Sequence, residues 1–232
     1  MDYPIGRVRR KAVIMVGMAT SSVDLTRMPR GGPDASCLDR LLDRFDDRGE
    51  VDPDAVLRML GWTGGVFGST RQFAEIVLAE VAEVADPRIL ELGGDDELSR
   101  TLRDWHPTVR LTTADVDSVA EFADGQFDLA VLVLGLHHLS PERAARVLAE
   151  GARVADKLLV IDLPRPPAPL HLLRLATLLP LAPVLAPVHD GLVSSVRAYS
   201  PSALRALAGH AGVDVELRGG LLGPQIVVAT RR

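Results

Sequence analysis

The stretch that most constrains this chain is Pro87-Arg-Ile-Leu-Glu-Leu-Gly-Gly-Asp-Asp-Glu97. A short apolar run, Ile89 to Leu92, breaks into Gly93-Gly94. An amphipathic segment follows at once, with Leu98, Leu102 and Trp105 at helical spacing. Strand, glycine turn and helix in that order open the nucleotide site of a Rossmann-type sheet, because glycines let the backbone turn tightly and approach a ligand. In this chain the turn also carries three carboxylates, Asp95, Asp96 and Glu97.

Downstream the pattern alternates. Val109 to Ala114 reads as a second strand, and Phe127 to Gly135 as a central strand, apolar on both faces. Ser140-Pro141 combines a cap with a first-turn proline and starts a helix to about Ala155. Leu158 to Leu163 is another buried strand. Ser200-Pro201 repeats the helix start, and that helix runs to Ala211. Val213 to Leu217 and Gln225 to Thr230 are spaced as an antiparallel pair at the sheet edge. The fold class is α/β: a Rossmann-like, mostly parallel sheet with an antiparallel edge strand and a helical N-terminal cap.

Three regions follow from the pattern: a flexible arm over 1–34, a helical cap over 35–86, and the α/β domain over 87–232 with an apolar insert at 164–190. Leu38, Leu41, Leu42 and Phe45 mark one helix face in the cap. Asp52 caps a second helix, and Phe73, Ile76, Val77, Val81 and Val84 line a third, which begins at Ser69 or Thr70. Gly61 to Gly68 joins them, as a plain connector or a lid. In the arm, Arg7, Arg9, Arg10 and Lys11 precede the apolar run Ala12 to Ala19. That arrangement loosely imitates a signal peptide, and it reads rather as a disordered leader or an early start codon.

A net charge of −5, with no basic run near the domain, argues against nucleic acid as the main partner. Prolines at 164, 166, 167, 169, 180, 183 and 187 interrupt the other long apolar region, so it is not a membrane span. Its leucines, Leu170 to Leu185, suit a lid, ordinary core or a homodimer face through 164–190. The single Cys37 excludes an internal disulfide and any cysteine metal cluster. A cytoplasmic protein is expected.

Four pieces of this sequence resemble the class I S-adenosylmethionine-dependent methyltransferases, in particular the small-molecule type of bacterial polyketide gene clusters. They are Glu91-Leu-Gly-Gly94, the run Phe122-Ala-Asp-Gly-Gln-Phe-Asp128 leading to Leu136-His-His-Leu139, the closing strand pair, and His189-Asp-Gly191 with Ser195-Val-Arg-Ala-Tyr-Ser-Pro201. The resemblance implies S-adenosylmethionine as cofactor. Glu91, Gly93 and Gly94 would hold its methionine end, Asp115 its ribose, and Val133 would pass beside it. It also implies an apolar, polyketide-like substrate whose hydroxyl accepts the methyl group. Candidate bases are His137, His138 and the His189-Asp190 pair, since histidine titrates near neutral pH. Each has a structural alternative: a strand-end acid, a solvated loop acid, sheet core, or a turn.

Two departures from the family pattern stand out. Asp95, Asp96 and Glu97 occupy positions where further glycines are usual, adding bulk and like charge where the cofactor's carboxylate and ribose come close in the family. A βα unit is also missing: 116–126 is too short for a helix and a strand, because a crossover takes roughly 10–12 residues. No strand is expected there. The alternative implied is a fold that no longer transfers methyl, serving as a cyclase, an isomerase or a non-catalytic pathway partner.

Overall fold

The computed structural model describes residues 24–43, 70–94, 96–165, 167–178, 196–220 and 223–232. In chain order the elements are helices α1 (Cys37–Asp43) and α2 (Thr70–Glu80), strand β1 (Arg88–Leu92), helix α3 (Asp96–Trp105) and strands β2 (Arg110–Ala114) and β3 (Phe127–Val133). Helix α4 (Pro141–Val154), strand β4 (Ala155–Asp162), helices α5 (Ala168–Leu178) and α6 (Pro201–Ala211), and strands β5 (Val213–Gly219) and β6 (Gln225–Arg231) complete it. The strands form one sheet in the order β2-β1-β3-β4-β6-β5. β1 to β4 are mutually parallel, and β6 runs antiparallel to both β4 and β5.

The local chemistry explains the boundaries. Ser140 and Ser200 cap their helices by accepting hydrogen bonds from the amides of Arg143 and Ala203, each with proline in the first turn. α4 passes directly into β4, three residues before the apolar run that marked this strand in the sequence. Residues 116–126 contain a 3₁₀ turn, Val116–Glu121, and no strand, so β2 lies at the sheet edge as expected.

Two apolar layers sandwich the sheet. One joins Leu90, Leu92, Ala130 and Leu132 to α4 and α6. The other joins Ile89, Leu129, Val131 and Leu159 to α2 and α3. Here the structure corrects the cap. Helix α2 buries Phe73, Ala74 and Val77, and Val81 just past its end, against Leu98 and Leu102 of α3 and against the sheet, so it is a layer of the α/β domain. The apolar face of α2 was legible; what it packs on was not. Trp105, expected on the buried face of α3, is 43% exposed.

The arm is the second correction. Residues 24–34 are docked onto the sheet's helical layer, with Leu25 and Met28 buried beside Leu136, Leu139 and Tyr199. The Arg30 carbonyl accepts from the Ser200 amide, and the Gly31 carbonyl accepts from the hydroxyls of Ser200 and Ser202. At Gly32, φ is +91° and a Cβ would stand 2.4 Å from Ser202 Oγ, so only glycine fits. Helix α1 packs on α5, bringing the first part of the cap against the insert. The expected helix at Asp52, the 61–68 connector and residues 1–23 lie outside the described residues.

Candidate functional site

The carboxyl ends of β1, β2 and β3 are where an open α/β sheet places its ligand. Glu91 lies one residue from the end of β1, in register with Thr113 of β2 and Val131 of β3. Its side chain is 2% exposed, and one carboxylate oxygen accepts from the Ser99 hydroxyl on α3. The other leans on the glycine turn: a Cβ at Gly94 would stand 1.9 Å from Glu91 Oε1. Gly93 has φ +60° and donates its amide to the Ala114 carbonyl at 2.9 Å, tying the turn to the end of β2. The turn is therefore shaped around Glu91, and alanine at 94 would displace that carboxylate.

Asp115 is exposed just past β2, and its carboxylate makes no capping bond to the 3₁₀ turn that follows. Two unused acceptor oxygens suit a pair of neighbouring hydroxyls. Val133 is half-buried at the end of β3. Beyond it Leu134 adopts φ +52° while donating its amide to the Ile161 carbonyl at 2.7 Å. A left-handed leucine costs about 1 kcal/mol, and the bend directs the chain into the turn Leu136–His138. Glu97 is exposed in the first turn of α3, Asp96 begins that helix, and Asp95 lies outside the described residues.

The two histidines occupy different environments. His137 is 1% exposed. Its Nδ1 lies 2.6 Å from Asp162 Oδ1, its amide donates to Asp162 Oδ2 at 2.9 Å, and its Nε2 is buried with no hydrogen-bond partner among the described residues. Since an ionised carboxylate only accepts, Nδ1 carries the proton. Asp162 also accepts from the Leu163 amide. His138 is half-buried, and its ring centroid is 4.0 Å from that of His137. Burial, reinforced by repulsion from His137, pushes its pKa down to about 4. At neutral pH it is therefore an uncharged imidazole at the carboxyl edge, able to accept a proton but a weak base.

Residues that sequence reasoning missed support this turn. Asp162 read only as the end of an apolar strand, and its contact with His137 spans 25 residues. Arg30 donates to the His137 carbonyl at 3.2 Å and lies over the Tyr199 ring at 4.4 Å. The Tyr199 hydroxyl donates to the Leu139 carbonyl, and Gln225 donates to the Tyr199 carbonyl. Arg165, 4% exposed, donates to the carbonyls of Val196 and Ala198 and to Asp43 of α1. His189 and Asp190 lie outside the described residues. Among the described residues no group of side chains could hold a metal, and no helix is long and apolar enough to cross a membrane.

Residues 69–157 match the methyltransferase domain family. The pyocyanin biosynthetic protein PhzM superposes with a TM-score of 0.50 at 16% identity, over 82% of this chain and 61% of that one. An O-methyltransferase family 2 protein from Planctomyces limnophilus, solved with apigenin, gives 0.49 at 14% identity, over 80% and 63%. The mitomycin 7-O-methyltransferase MmcR gives 0.45 at 20% identity, over 70% and 56%. No curated protein matches the sequence. The chain thus spans about three-fifths of the length of the first two structures. It has a Rossmann-like, methyltransferase-type fold, and residues 69–157 are similar to the methyltransferase domain family.

Proposed function

We propose that this chain transfers a methyl group from S-adenosylmethionine to a hydroxyl of an apolar, polyketide-like small molecule. The observation that carries the reading is the glycine turn closing β1, where Gly94 has no room for a side chain against Glu91. That cradle fits the cofactor. Glu91, Gly93 and Gly94 would take its amino-acid end, Asp115 its ribose hydroxyls, and Val133 would pack beside it. The cofactor supplies an electrophilic methyl group on a sulfonium. The protein's own part is alignment and exclusion of water. His138, kept neutral by burial, would accept the hydroxyl proton. His137, held by Asp162, would fix the turn that presents it.

A second reading rests on a separate observation. Asp96 and Glu97 open α3, and no strand follows β2 before β3, so the ribose side of the site is acidic and thinly walled. On this reading the methyl donor was abandoned and the pocket shapes an apolar intermediate for cyclisation, or serves a non-catalytic partner. Calorimetric titration with S-adenosylmethionine and its demethylated product separates the two. Saturable binding of both, weakened in Gly94→Ala, supports methyl transfer; absence of heat with either ligand removes it and leaves the second reading.

A further inference from the structure

We propose that two copies of this chain pair through β2, antiparallel about a two-fold axis at Thr112, so that their sheets join into one. The sheet has two edges, and they are built differently. β5 carries Asp214, Glu216 and Arg218 along its length, with Arg218 paired to Glu216 and Arg232 paired to Asp214. Charges of this kind are the usual protection of an edge strand against pairing with another chain. β2 reads Arg-Leu-Thr-Thr-Ala, with no lysine, no proline and no internal charge. Its pairing with β1 is continuous from Arg110 to Ala114, without a bulge.

The backbone identifies which groups face outward. The Arg110 amide donates to the Pro87 carbonyl at 2.8 Å, and the Ala114 carbonyl accepts from Gly93 at 2.9 Å. Arg110, Thr112 and Ala114 therefore turn their peptide groups toward β1. By the alternation of a parallel ladder, Leu111 and Thr113 turn theirs away. Among the described residues β2 has β1 as its one neighbour, so those groups meet no other strand. An antiparallel copy centred on Thr112 sets Leu111 opposite Thr113 of the second copy, each pair exchanging both its N–H···O bonds.

Charge favours a second copy in this direction over a foreign strand. Arg110 begins β2 and Asp115 follows its end; both are exposed, and neither has an ion-pair partner among the described residues. Antiparallel pairing brings Arg110 of each copy to the end that carries Asp115 of the other. Trp105, at the end of α3 five residues before β2, is a further exposed apolar side chain. A two-fold contact of this kind closes on itself and does not propagate. One short strand pair makes a small interface, and such interfaces are weak.

Sedimentation velocity of the full chain, from micromolar to hundred-micromolar concentration, tests this. The mass is expected to rise with concentration from 24.9 kDa toward twice that value. Thr113→Pro removes an outward N–H and spares the ladder to β1, so it should stay monomeric with unchanged circular dichroism. Arg110→Glu should weaken pairing at least about tenfold, a change of about 1.4 kcal/mol, and adding Asp115→Arg should restore it. If Thr113→Pro fails to fold, the charge exchange decides alone. A wild-type chain that remains monomeric throughout overturns the proposal. So does a dimer indifferent to both tests, or one lost instead on Leu173→Glu in α5.

Discussion

The two halves of the carboxyl edge are held in contrasting ways. At the ends of β1 and β2 the contacts include Ser99 to Glu91 and Gly93 to Ala114, which join neighbouring elements, and Asp115 is exposed. At the end of β4 and beyond it is fastened by buried polar groups: Asp162 on His137, Arg165 on Asp43, Tyr199 on Leu139 and Gln225 on Tyr199. The half with the candidate cofactor residues is joined to neighbouring elements, and the half beside it is stitched to elements far away in sequence. Asp162 and Arg165 are buried and engaged within the protein, whereas Asp115 is exposed.

The contrast can be broken most severely at Asp162. Asp162→Ala strands a buried imidazole and two amides, and stability should fall by about 3 kcal/mol in urea titration. Asp162→Asn, which keeps an acceptor, should cost less. If the alanine variant is as stable as the parent, the second half is not held as described. Next comes Arg165→Met. Losing the bonds to Val196, Ala198 and Asp43 should cost about 2 kcal/mol. It should also speed proteolysis within 24–36, because α1 and the arm share Asp43, which accepts from the Arg30 amide.

Much of this half was hidden from sequence reading for a physical reason. Apolar runs and capped helix starts are local, and Ser140-Pro141, Ser200-Pro201 and the strand at Phe127 fell where their residues put them. Arg165 and Asp43 lie 122 positions apart, and nothing local in either marks the pairing. Arg30-Gly-Gly-Pro33 has the composition of a loop and is nonetheless pinned by two serine hydroxyls. The adjacent histidines looked equivalent; burial against Asp162 separates them. The first half was more legible, because a glycine turn and a strand-end acid are themselves local signals. The missing strand after β2 followed from length alone.

Two smaller effects sharpen the first half. Gly94→Ala should weaken S-adenosylmethionine about tenfold, about 1.4 kcal/mol, with less effect on folding, because the new methyl group displaces Glu91. Asp95→Asn with Glu97→Gln should act in the opposite sense and tighten binding several-fold by removing like charge. Tighter binding by the parent than by this double variant would assign the acidic run to cofactor recognition. The smallest effect concerns His138. Its folded pKa, about 4, lies below the ordinary value near 6.5. Between these values the unfolded chain binds more protons, so stability is full above pH ~6.5 and declines as pH falls toward 4. With the ring partly screened by solvent, the loss from pH ~6.5 to ~5.5 should stay below about 1 kcal/mol. His138→Asn should remove that dependence in denaturant titrations at the two pH values.

The docking of the arm also bears on the order of assembly. Leu25 and Met28 leave the ribosome early, yet Ser200 and Ser202, which fasten the neighbouring Arg30 and Gly31, are made about 170 residues later. At an elongation rate of roughly 5–20 residues per second the arm waits some tens of seconds or less for its anchor. Contacts of such separation slow folding. Nascent chains stalled before α6 should therefore carry an arm open to protease, and completed chains should close it.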